Sequence, residues 1–399
     1  MKDEVIFDAV INSIPQWYYS ETGPYKYTLK LGQMYKTFYS LTPLSPKLNT
    51  LYNYANEMLP KWKRMMSGSS LPMYIDFIQS FLALKWISLF NSSINSSELS
   101  MYLRNCSFRS YENNSIKINL IISKGIGSIN ITNPEFHKLI DPLASSNQVF
   151  MRIDCNLNFL SYEEIPWSSI KETEYYKFNP EFLQPYASVL QEGEISVHLT
   201  EKNDIIVMNH DGVIASKRKG YWYFYDVHNF TEAAINIIGD QRACMLLETL
   251  LDLSYNRKGA LIVHDPDHKV IKQVVNKNSI LTEEYGTPDK FRKMLLPFFR
   301  PVPRYHPSII IPIRRKRLIL ELTELDGALI MDNNRILSFG SMIKPHPHVA
   351  EHKGARSTAA ESAYRWGGTS FNVSSDGEIK IYFDSYGTTS SAEAQLRMM

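Results

Sequence analysis

A chain of 399 residues is longer than a single hydrophobic core usually supports, so its length predicts two or more domains. Its hydrophobic share of 44% and charged share of 21% are those of a globular protein, which excludes a largely disordered or fibrous chain. The formal net charge of +2 excludes a strongly polyanion-seeking surface, so we expect no nucleic-acid partner and only a local site for phosphate.

The cysteines and the hydropathy of the sequence indicate the cellular compartment of the protein. The three cysteines, Cys106, Cys155 and Cys244, are far apart and include no CxxC pair, so neither a disulfide framework nor a zinc site is expected. The first residues lack a basic segment followed by an apolar core, which predicts no signal peptide. The apolar run at 73–90 is interrupted by charged residues and is too short to span a bilayer. We therefore expect a cytoplasmic protein with no membrane partner.

The first 165 residues are predicted to form an α+β domain of unknown role. Apolar residues recur at helical spacing in two segments joined by SGSS, and they alternate with polar residues in three others. The predicted helices are 51–66 and 73–90, and the predicted strands are 115–122, 129–132 and 149–160.

A polar, proline-containing stretch at 166–195 is predicted to be a linker between two domains. After it, strands within 205–226 flank turns at His210-Asp211-Gly212 and at KRKG. The basic cluster at 217–219 is interpreted as a solvated loop tip.

The second domain, 196–388, is predicted to be a mixed α/β unit. The pattern indicates a core-facing helix that ends at Gly259 and then a continuous apolar run, ALIVHD, typical of a buried central strand. Further helices are predicted at 288–296 and 317–324, hairpins at 326–343 and 370–384, and a proline-dense connector between the two helices. Residues 389–399 are predicted to be a flexible tail.

The stretch GARSTAAE at 354–361 has the features of an anion site. Thr358 and Glu361 have the spacing of a capping box, which predicts a helix that begins near Ala359. A helix N-terminus presents unpaired backbone N–H groups to an anion, Gly354 permits a close approach, and Arg356 adds a forked cationic donor. The alternative is that Thr358 only caps the helix and Arg356 only pairs with a surface acid.

The stretch Asp326-Gly327-Ala328 is a second candidate. An aspartate just before a buried strand places a carboxylate at a sheet edge, a suitable position for Mg²⁺ or Mn²⁺ beside a nucleotide. The following glycine lets backbone pass close to a ligand. The alternative is a plain turn.

Taken in order, these segments resemble the diadenylate cyclase (DAC) domain, a nucleotidyltransferase fold, over about half of the chain. LSYNRKGALIVHD is similar to the helix–strand opening of the family, LDGALIMDNNRILSFGSMI to its Asp-Gly-Ala hairpin, and GARSTAAESAY to its Gly-Thr-Arg-His-Arg-Ala-Ala stretch. The fold class implied is α/β: a C-terminal DAC-like mixed sheet flanked by helices, preceded by the smaller α+β domain.

The resemblance implies ATP or a related nucleotide as ligand, with Mg²⁺ or Mn²⁺ as cofactor. It assigns the catalytic and metal-binding role to Asp326 and nucleotide contacts to Gly327 and Ala328. Gly354 and Arg356 would then bind phosphate. In the family two ATP-loaded protomers face each other and each 3′-hydroxyl attacks the partner's α-phosphate, which implies a homodimer.

The chain departs from the family at three positions, because Leu325, Ser357 and Thr358 replace its His, His and second Arg. Loss of one arginine-type contact in phosphoryl transfer costs on the order of 10³-fold in rate, whereas Ser357 and Thr358 can still hydrogen-bond phosphate. We therefore predict a nucleotide sensor with lapsed catalysis that signals to an effector. The alternatives are an active divergent cyclase that makes a cyclic or linear dinucleotide from ATP with release of pyrophosphate, and a structural role without ligand.

Basic residues just before this stretch could replace the lost charge. The alternative is that their histidine- and proline-rich segment is a solvated surface loop. They are Lys344, His346, His348, His352 and Lys353.

Overall fold

A computed structural model gives the fold over most of the chain. It describes residues 2–14, 17–18, 25–40, 42–65, 71–111, 114–143, 148–165, 178–238, 243–295, 313–333, 335–349, 354–384 and 393–398. The predicted SGSS connection and most of the proline-dense connector lie outside these residues.

The described residues form eleven α-helices and nineteen strands, so the predicted α/β class is confirmed. The helices are α1 (Lys2–Ile11), α2 (Pro46–Met65), α3 (Leu71–Ser88), α4 (Ser96–Ser107), α5 (Pro134–Leu143), α6 (Gln184–Val189), α7 (Val227–Ile238), α8 (Ala243–Tyr255), α9 (Lys290–Leu295), α10 (Ile313–Glu324) and α11 (Ala355–Arg365). The strands are β1 (Trp17–Tyr18), β2 (Tyr25–Leu31), β3 (Met34–Ser40), β4 (Ser110–Tyr111), β5 (Asn114–Ser115), β6 (Ile118–Ile122), β7 (Ile129–Asn130), β8 (Val149–Ile153), β9 (Asn158–Glu164), β10 (Ile195–Leu199), β11 (Ile205–Asn209), β12 (Gly212–Arg218), β13 (Tyr221–Phe224), β14 (Ala260–His264), β15 (Ala328–Met331), β16 (Ile336–Ser341), β17 (Thr369–Val373), β18 (Ile379–Asp384) and β19 (Glu393–Met398).

The larger sheet has eight strands in the order β13-β12-β11-β10-β6-β8-β9-β7. Because side chains alternate across a strand, Leu120 of β6 packs with the helices α1–α4 whereas its neighbour Ile121 packs on the opposite face with α6 and α8. The strands of 195–224 join this sheet through the antiparallel pairing of β10 with β6. The sheet thus contains strands from both sides of the predicted linker at 166–195, and the two-domain boundary there stays a prediction.

The segment 149–160, predicted as one strand, is instead a hairpin of β8 and β9. Its turn is held by the carboxylate of Asp154, which accepts hydrogen bonds from the backbone N–H groups of Asn156 at 2.9 Å and Asn158 at 2.8 Å. Leu157 adopts a left-handed φ of 61° within the turn. An Asp that binds the backbone two residues ahead favours a turn over an extended chain, which the apolar alternation did not reveal.

His198 lies fully buried in the larger sheet, with Nδ1 2.9 Å from Oδ1 of Asn119 and Nε2 2.9 Å from the hydroxyl of Ser196. Burial lowers the pKa of His198 to about 3. The unfolded chain therefore binds a proton that the folded chain excludes, so stability is lost as pH falls below the unfolded pKa near 6.5.

We expect the free energy of unfolding to decrease from about pH 6 downward with a slope approaching 1.4 kcal/mol per pH unit from His198 alone. Urea unfolding at a series of pH values measures the slope, and His198→Gln isolates the contribution of this residue. An identical pH dependence in the variant would contradict the assignment.

The smaller sheet has six strands in the order β16-β15-β14-β17-β18-β19, with β14 near its centre as predicted. Alternate residues of β14 face two layers: Ile262 packs with α8 and α10, and Leu261 packs with α11. Residues 393–398, predicted to belong to a flexible tail, instead form β19 and pair with β18. The pairing with the preceding strand, not the composition of the segment itself, makes these residues a strand.

Candidate functional site

The Asp-Gly-Ala stretch precedes and begins β15. Asp326 is exposed, whereas the side chain of Ala328 is buried in the sheet. Gly327 has a φ of +108°, and a Cβ at this position would lie 2.6 Å from the backbone carbon of Gly340 in β16. The glycine is therefore required by the close approach of two backbones within the hairpin.

We expect Gly327→Ala to lower the free energy of unfolding by about 2 kcal/mol or more, because backbone strain and a backbone collision add. The matched control is Gly220→Ala, since Gly220 has a φ of +87° but a Cβ added to it would meet no atom within 4 Å. The control should lose only about 1 kcal/mol. If urea unfolding gives equal losses for the two variants, backbone strain alone explains the need for glycine at position 327, and the collision with β16 adds nothing.

The helix α11 begins earlier than the sequence predicts. It starts at Ala355 rather than near Ala359, and Gly354 is its N-cap, which has no side chain to supply a cap. The N–H of Thr358 already donates to the carbonyl of Gly354 at 3.0 Å, so the predicted capping role of Thr358 is wrong. Arg356 consequently lies within the first turn, not ahead of it.

This first turn presents several donors at one place. In an α-helix the first N–H groups have no partner within the helix, and here they belong to Ala355, Arg356 and Ser357. The hydroxyl of Ser357 accepts a hydrogen bond from the side-chain amide of Asn372 at 3.2 Å, which leaves its own proton for another acceptor. The first turn of α11 thus combines backbone donors, a hydroxyl and a guanidinium.

The guanidinium of Arg356 lies against Gly259, just before β14. A Cβ on Gly259 would collide with Nη1 of Arg356 and lie 3.0 Å from its Cζ. The helix α8 ends at Tyr255, and the left-handed residue after it is Arg257, with a φ of 60°. The prediction that the helix ends at Gly259 is therefore wrong. Without a side chain, Gly259 instead leaves space for the guanidinium of Arg356.

The register of the sheet brings both motifs to one edge. β14 and β15 are parallel, with Leu261 opposite Ala328. Gly259 comes one residue before β14 and Asp326 two residues before β15, so both lie at the amino end of this strand pair. An ion pair between Lys258 and Glu324 joins the same two segments. We call this surface the amino edge: the starts of β14 and β15 at Gly259 and Asp326, together with the first turn of α11.

A buried charge network supports the amino edge, and sequence reasoning missed it. Arg218, interpreted as part of a solvated loop tip, has a side chain that is only 3% exposed. Its Nε lies 3.3 Å from the carboxylate of Asp204, and its other nitrogens donate to the hydroxyl and carbonyl oxygens of Ser254 at 2.6 and 2.8 Å. Arg257 binds the same carboxylate at 2.8 and 2.9 Å.

This network joins the two sheets behind the turn that contacts Arg356. Asp204 and Arg218 belong to the larger sheet and its loops, whereas Ser254 and Arg257 end α8 and lead to β14. A Cβ on Gly377, in the turn after β17, would lie 2.5 Å from Nη2 of Arg218, so this turn packs directly on the buried guanidinium. No periodic signal marked this network, because β12 is buried on both faces up to Arg218.

The described part of the basic segment before α11, Lys344 to His348, packs near the far end of that helix. His346 packs edge-on against Trp366 with ring centroids 4.4 Å apart, and Trp366 donates to the carbonyl of Lys344 at 3.0 Å. Trp366 caps the opposite end of α11, about 15 Å from Arg356 at the rise of an α-helix. Lys344 and His346 therefore do not supply charge to the first turn of α11, and His352 and Lys353 lie outside the described residues.

A metal ion at the amino edge would depend on Asp326 and on a ligand. Over the described part of the chain, no group of three or more His, Cys, Asp or Glu side chains could hold a metal ion by itself. Mg²⁺ beside a nucleotide usually takes one or two protein carboxylates and completes its shell with phosphate and water oxygens. The exposed carboxylate of Asp326 fits that requirement, and the metal role stays a proposal.

No family model matches the chain, and no curated protein matches it. A hypothetical membrane spanning protein from Bacillus cereus is similar over 39% of this chain and 68% of its own, with 16% identity and a TM-score of 0.25. DacA from Staphylococcus aureus, solved as a double mutant, is similar over 35% of this chain and 80% of its own, with 20% identity and a TM-score of 0.20. TM-scores this low do not establish a common fold.

The helices of the described ranges are too short or too polar for a bilayer. None of them has the length and apolar character that a membrane-spanning helix requires.

Proposed function

We propose that the chain binds a nucleotide at the amino edge and acts as a nucleotide sensor whose catalysis has lapsed. The observation that carries this proposal is the parallel pairing of β14 and β15: Asp326 precedes one of these strands, and Gly259, against which the guanidinium of Arg356 lies, precedes the other. Two stretches that are far apart in sequence, each a candidate site alone, would thus supply an anionic carboxylate and a cationic guanidinium to one surface. That pair suits a metal–phosphate ligand.

The phosphates would lie at the first turn of α11. Its backbone N–H groups and the positive end of the helix dipole favour an anion, and Arg356 adds two parallel donors. Ser357 and Thr358 contribute hydroxyl donors without charge, and a Mg²⁺ or Mn²⁺ ion on Asp326 would neutralise the remaining phosphate charge. Gly354, the exposed N-cap, has no side chain that could cover this turn.

Lapsed catalysis follows from the charges at the same turn. Nucleotidyl transfer requires neutralisation of the triphosphate in the transition state, and binding alone requires less. The family that the sequence resembles has His and Arg where this chain has Ser357 and Thr358, and the basic segment at Lys344–His348 lies at the other end of α11. Among the described residues at this turn, Arg356 would therefore alone supply the positive charge that several groups supply in that family.

The proposal is tested by thermal unfolding with ATP, GTP, CTP or UTP in the presence of Mg²⁺. A ligand at a hundred times its Kd stabilises the folded state by about 2.7 kcal/mol, so one nucleotide should raise the melting temperature by several degrees. Asp326→Asn should remove the Mg²⁺-dependent part of the shift and leave the metal-free part. No shift with any nucleotide would contradict the proposal and favour a structural role.

An active divergent diadenylate cyclase is the second candidate, favoured by the exposed carboxylate of Asp326 at the amino edge. It would convert ATP to a cyclic or linear dinucleotide and release pyrophosphate, with two protomers face to face. Pyrophosphate release that rises more than linearly with protein concentration and is lost in Asp326→Asn would establish this candidate. Intact ATP after prolonged incubation would exclude it.

A further inference from the structure

A second polar cluster lies at the opposite end of the same two strands. β14 ends at His264 and β15 at Met331, and the segments that follow them carry His268 and Asp332. In open α/β sheets, ligands bind outside the carboxyl ends of parallel strands. His264 is five residues beyond Gly259, about 16 Å along the strand, so this cluster is separate from the amino edge and independent of its proposed ligand.

Three side chains form a hydrogen-bonded row at this carboxyl end. Nε2 of His268 lies 3.0 Å from Oδ2 of Asp332, and Nδ1 of His268 lies 2.9 Å from the hydroxyl of Tyr285. The side chain of Asp332 is 8% exposed and that of His268 is 24% exposed, so the row leads from the interior toward solvent. His268 adopts a left-handed φ of 56°, a conformation that non-glycine residues keep only where their surroundings hold them.

The order of donors in this row follows from its chemistry. An ionised carboxylate only accepts hydrogen bonds, so Asp332 fixes the proton of neutral His268 on Nε2. Nδ1 then carries a lone pair, and the hydroxyl of Tyr285 donates to it. Acid, imidazole and hydroxyl in this order are the arrangement that activates a nucleophile: the imidazole takes the proton and the carboxylate stabilises the imidazolium.

The hydroxyl of Tyr285 needs a base of this kind to become a nucleophile. A hydrogen bond to Glu284, together with burial and the charge of Glu284, raises the pKa of Tyr285 above its usual value of 10.0. The phenol therefore keeps its proton at neutral pH and is a poor nucleophile by itself. Two bases compete for that proton, the Glu284 carboxylate and Nδ1 of His268, and His268 is backed by the buried carboxylate of Asp332.

Two cationic groups flank the row. Nε of Arg335 lies 3.5 Å from Oδ2 of Asp332, and the ammonium of Lys272 lies 5.9 Å from the ring centroid of Tyr285. Positive charge on both sides of a nucleophile favours an anionic electrophile, and guanidinium groups in particular match the geometry of phosphate.

We propose that Tyr285, His268 and Asp332 form a second reactive site, in which Tyr285 attacks the phosphorus of a phosphate diester. His268 accepts the phenol proton at Nδ1 as the bond between Oη and phosphorus forms. The bond from phosphorus to the leaving oxygen breaks, and His268 returns the proton to that oxygen. The products are a tyrosyl phosphodiester and a free alcohol, so no further reactant is needed.

The test uses the full-length protein with bis(para-nitrophenyl) phosphate as the diester and an aryl sulfonyl fluoride as a general probe of tyrosine nucleophilicity. Peptide mass spectrometry locates the adducts, and para-nitrophenol release gives the rate. Tyr35, whose side chain is 73% exposed, is the internal reference for a tyrosine labelled by exposure alone. We expect both probes to label Tyr285 far faster than Tyr35.

His268→Asn is the informative variant, because Asn tolerates left-handed backbone and keeps a polar side chain but is not a base. It should reduce both rates at Tyr285 by about 100-fold or more, the usual contribution of a general base, with a melting temperature close to that of the parent. Asp332→Asn should also slow labelling, and Glu284→Gln should not.

Three results would overturn the proposal. Labelling of Tyr285 no faster than that of Tyr35 would show that the hydroxyl is not activated. Loss of labelling in Glu284→Gln but not in His268→Asn would assign the base to Glu284 and leave the His268 row with a structural role. Reaction with the sulfonyl fluoride alone would refute the phosphate diester as substrate.

Discussion

Replacing Arg356 with alanine is expected to weaken nucleotide binding by about 10- to 100-fold. A hydrogen bond to a charged group contributes roughly 1.5–3 kcal/mol, and each 1.4 kcal/mol is a factor of ten in Kd. Arg356 is the guanidinium in the first turn of α11, and it lies against Gly259 at the amino edge. Arg356→Lys should lose less, since it keeps the charge but not the forked pair of donors. Isothermal titration with the nucleotide that raises the melting temperature measures the effect.

The matched control for this prediction is Arg365→Ala. Arg365 is an exposed arginine in the last turn of the same helix, so the change removes an equal charge from the opposite end of α11. Its nucleotide affinity should stay within about twofold of the parent value, since a phosphate at the first turn is about 14 Å away along the helix. Equal losses in the two variants would mean that only net charge matters and that the site is misplaced.

Replacing Asp204 with asparagine is expected to lower the free energy of unfolding by about 3–5 kcal/mol. The carboxylate is 3% exposed and is shared by Arg218, also 3% exposed, and by Arg257. Asparagine preserves the size of the side chain but leaves two guanidinium groups without their anion, and breaking a buried ion pair in this way is strongly destabilising. Urea unfolding at neutral pH measures the loss.

An exposed ion pair close to the same network provides the control. Asp376 lies 2.8 Å from the ammonium of Lys219, and its side chain is 71% exposed. Because solvent screens such pairs, Asp376→Asn should leave the free energy of unfolding close to that of the parent. If Asp204→Asn costs less than about 1 kcal/mol, the network that joins the two sheets does not hold them together.

Elements with local signals were predicted well. The helical spacing of apolar residues in α2 and α3, the short apolar runs of β11 to β13 and the continuous apolar run of β14 depend only on residues a few positions apart. The hairpin of β15 and β16 follows from the same kind of pattern. In each of these elements, burial and secondary structure agree with the local sequence.

Features set by distant partners were not predicted. The addition of β10 to β13 to the larger sheet depends on the pairing of β10 with β6, which lies more than 70 residues earlier in the chain. Arg218 was predicted to lie in a solvated loop tip. Its ion-pair partner, Asp204, is not distinguished from other loop acids in the sequence. Side-chain pairing across tens of residues leaves no periodic signal.

The candidate site was predicted in part. The sequence singled out Asp326 and Arg356, but only the register of β14 and β15 puts them at one edge. The capping-box spacing at Thr358 placed the start of α11 four residues too late, because Gly354 serves as a cap without any side chain. The close approach of β16 already requires glycine at position 327, and its contact with a nucleotide stays a prediction.

The amino edge is proposed to bind a nucleotide that it does not turn over, and one measurement tests both halves of this claim. Native mass spectrometry of the protein incubated with ATP, GTP, CTP, UTP or their deoxy-forms and Mg²⁺ or Mn²⁺ reports binding and turnover together. We expect a complex whose mass is that of the protein plus one intact nucleotide, depleted in Arg356→Ala. A complex with a dinucleotide, together with free pyrophosphate, would contradict lapsed catalysis, and the absence of any complex would contradict the site itself.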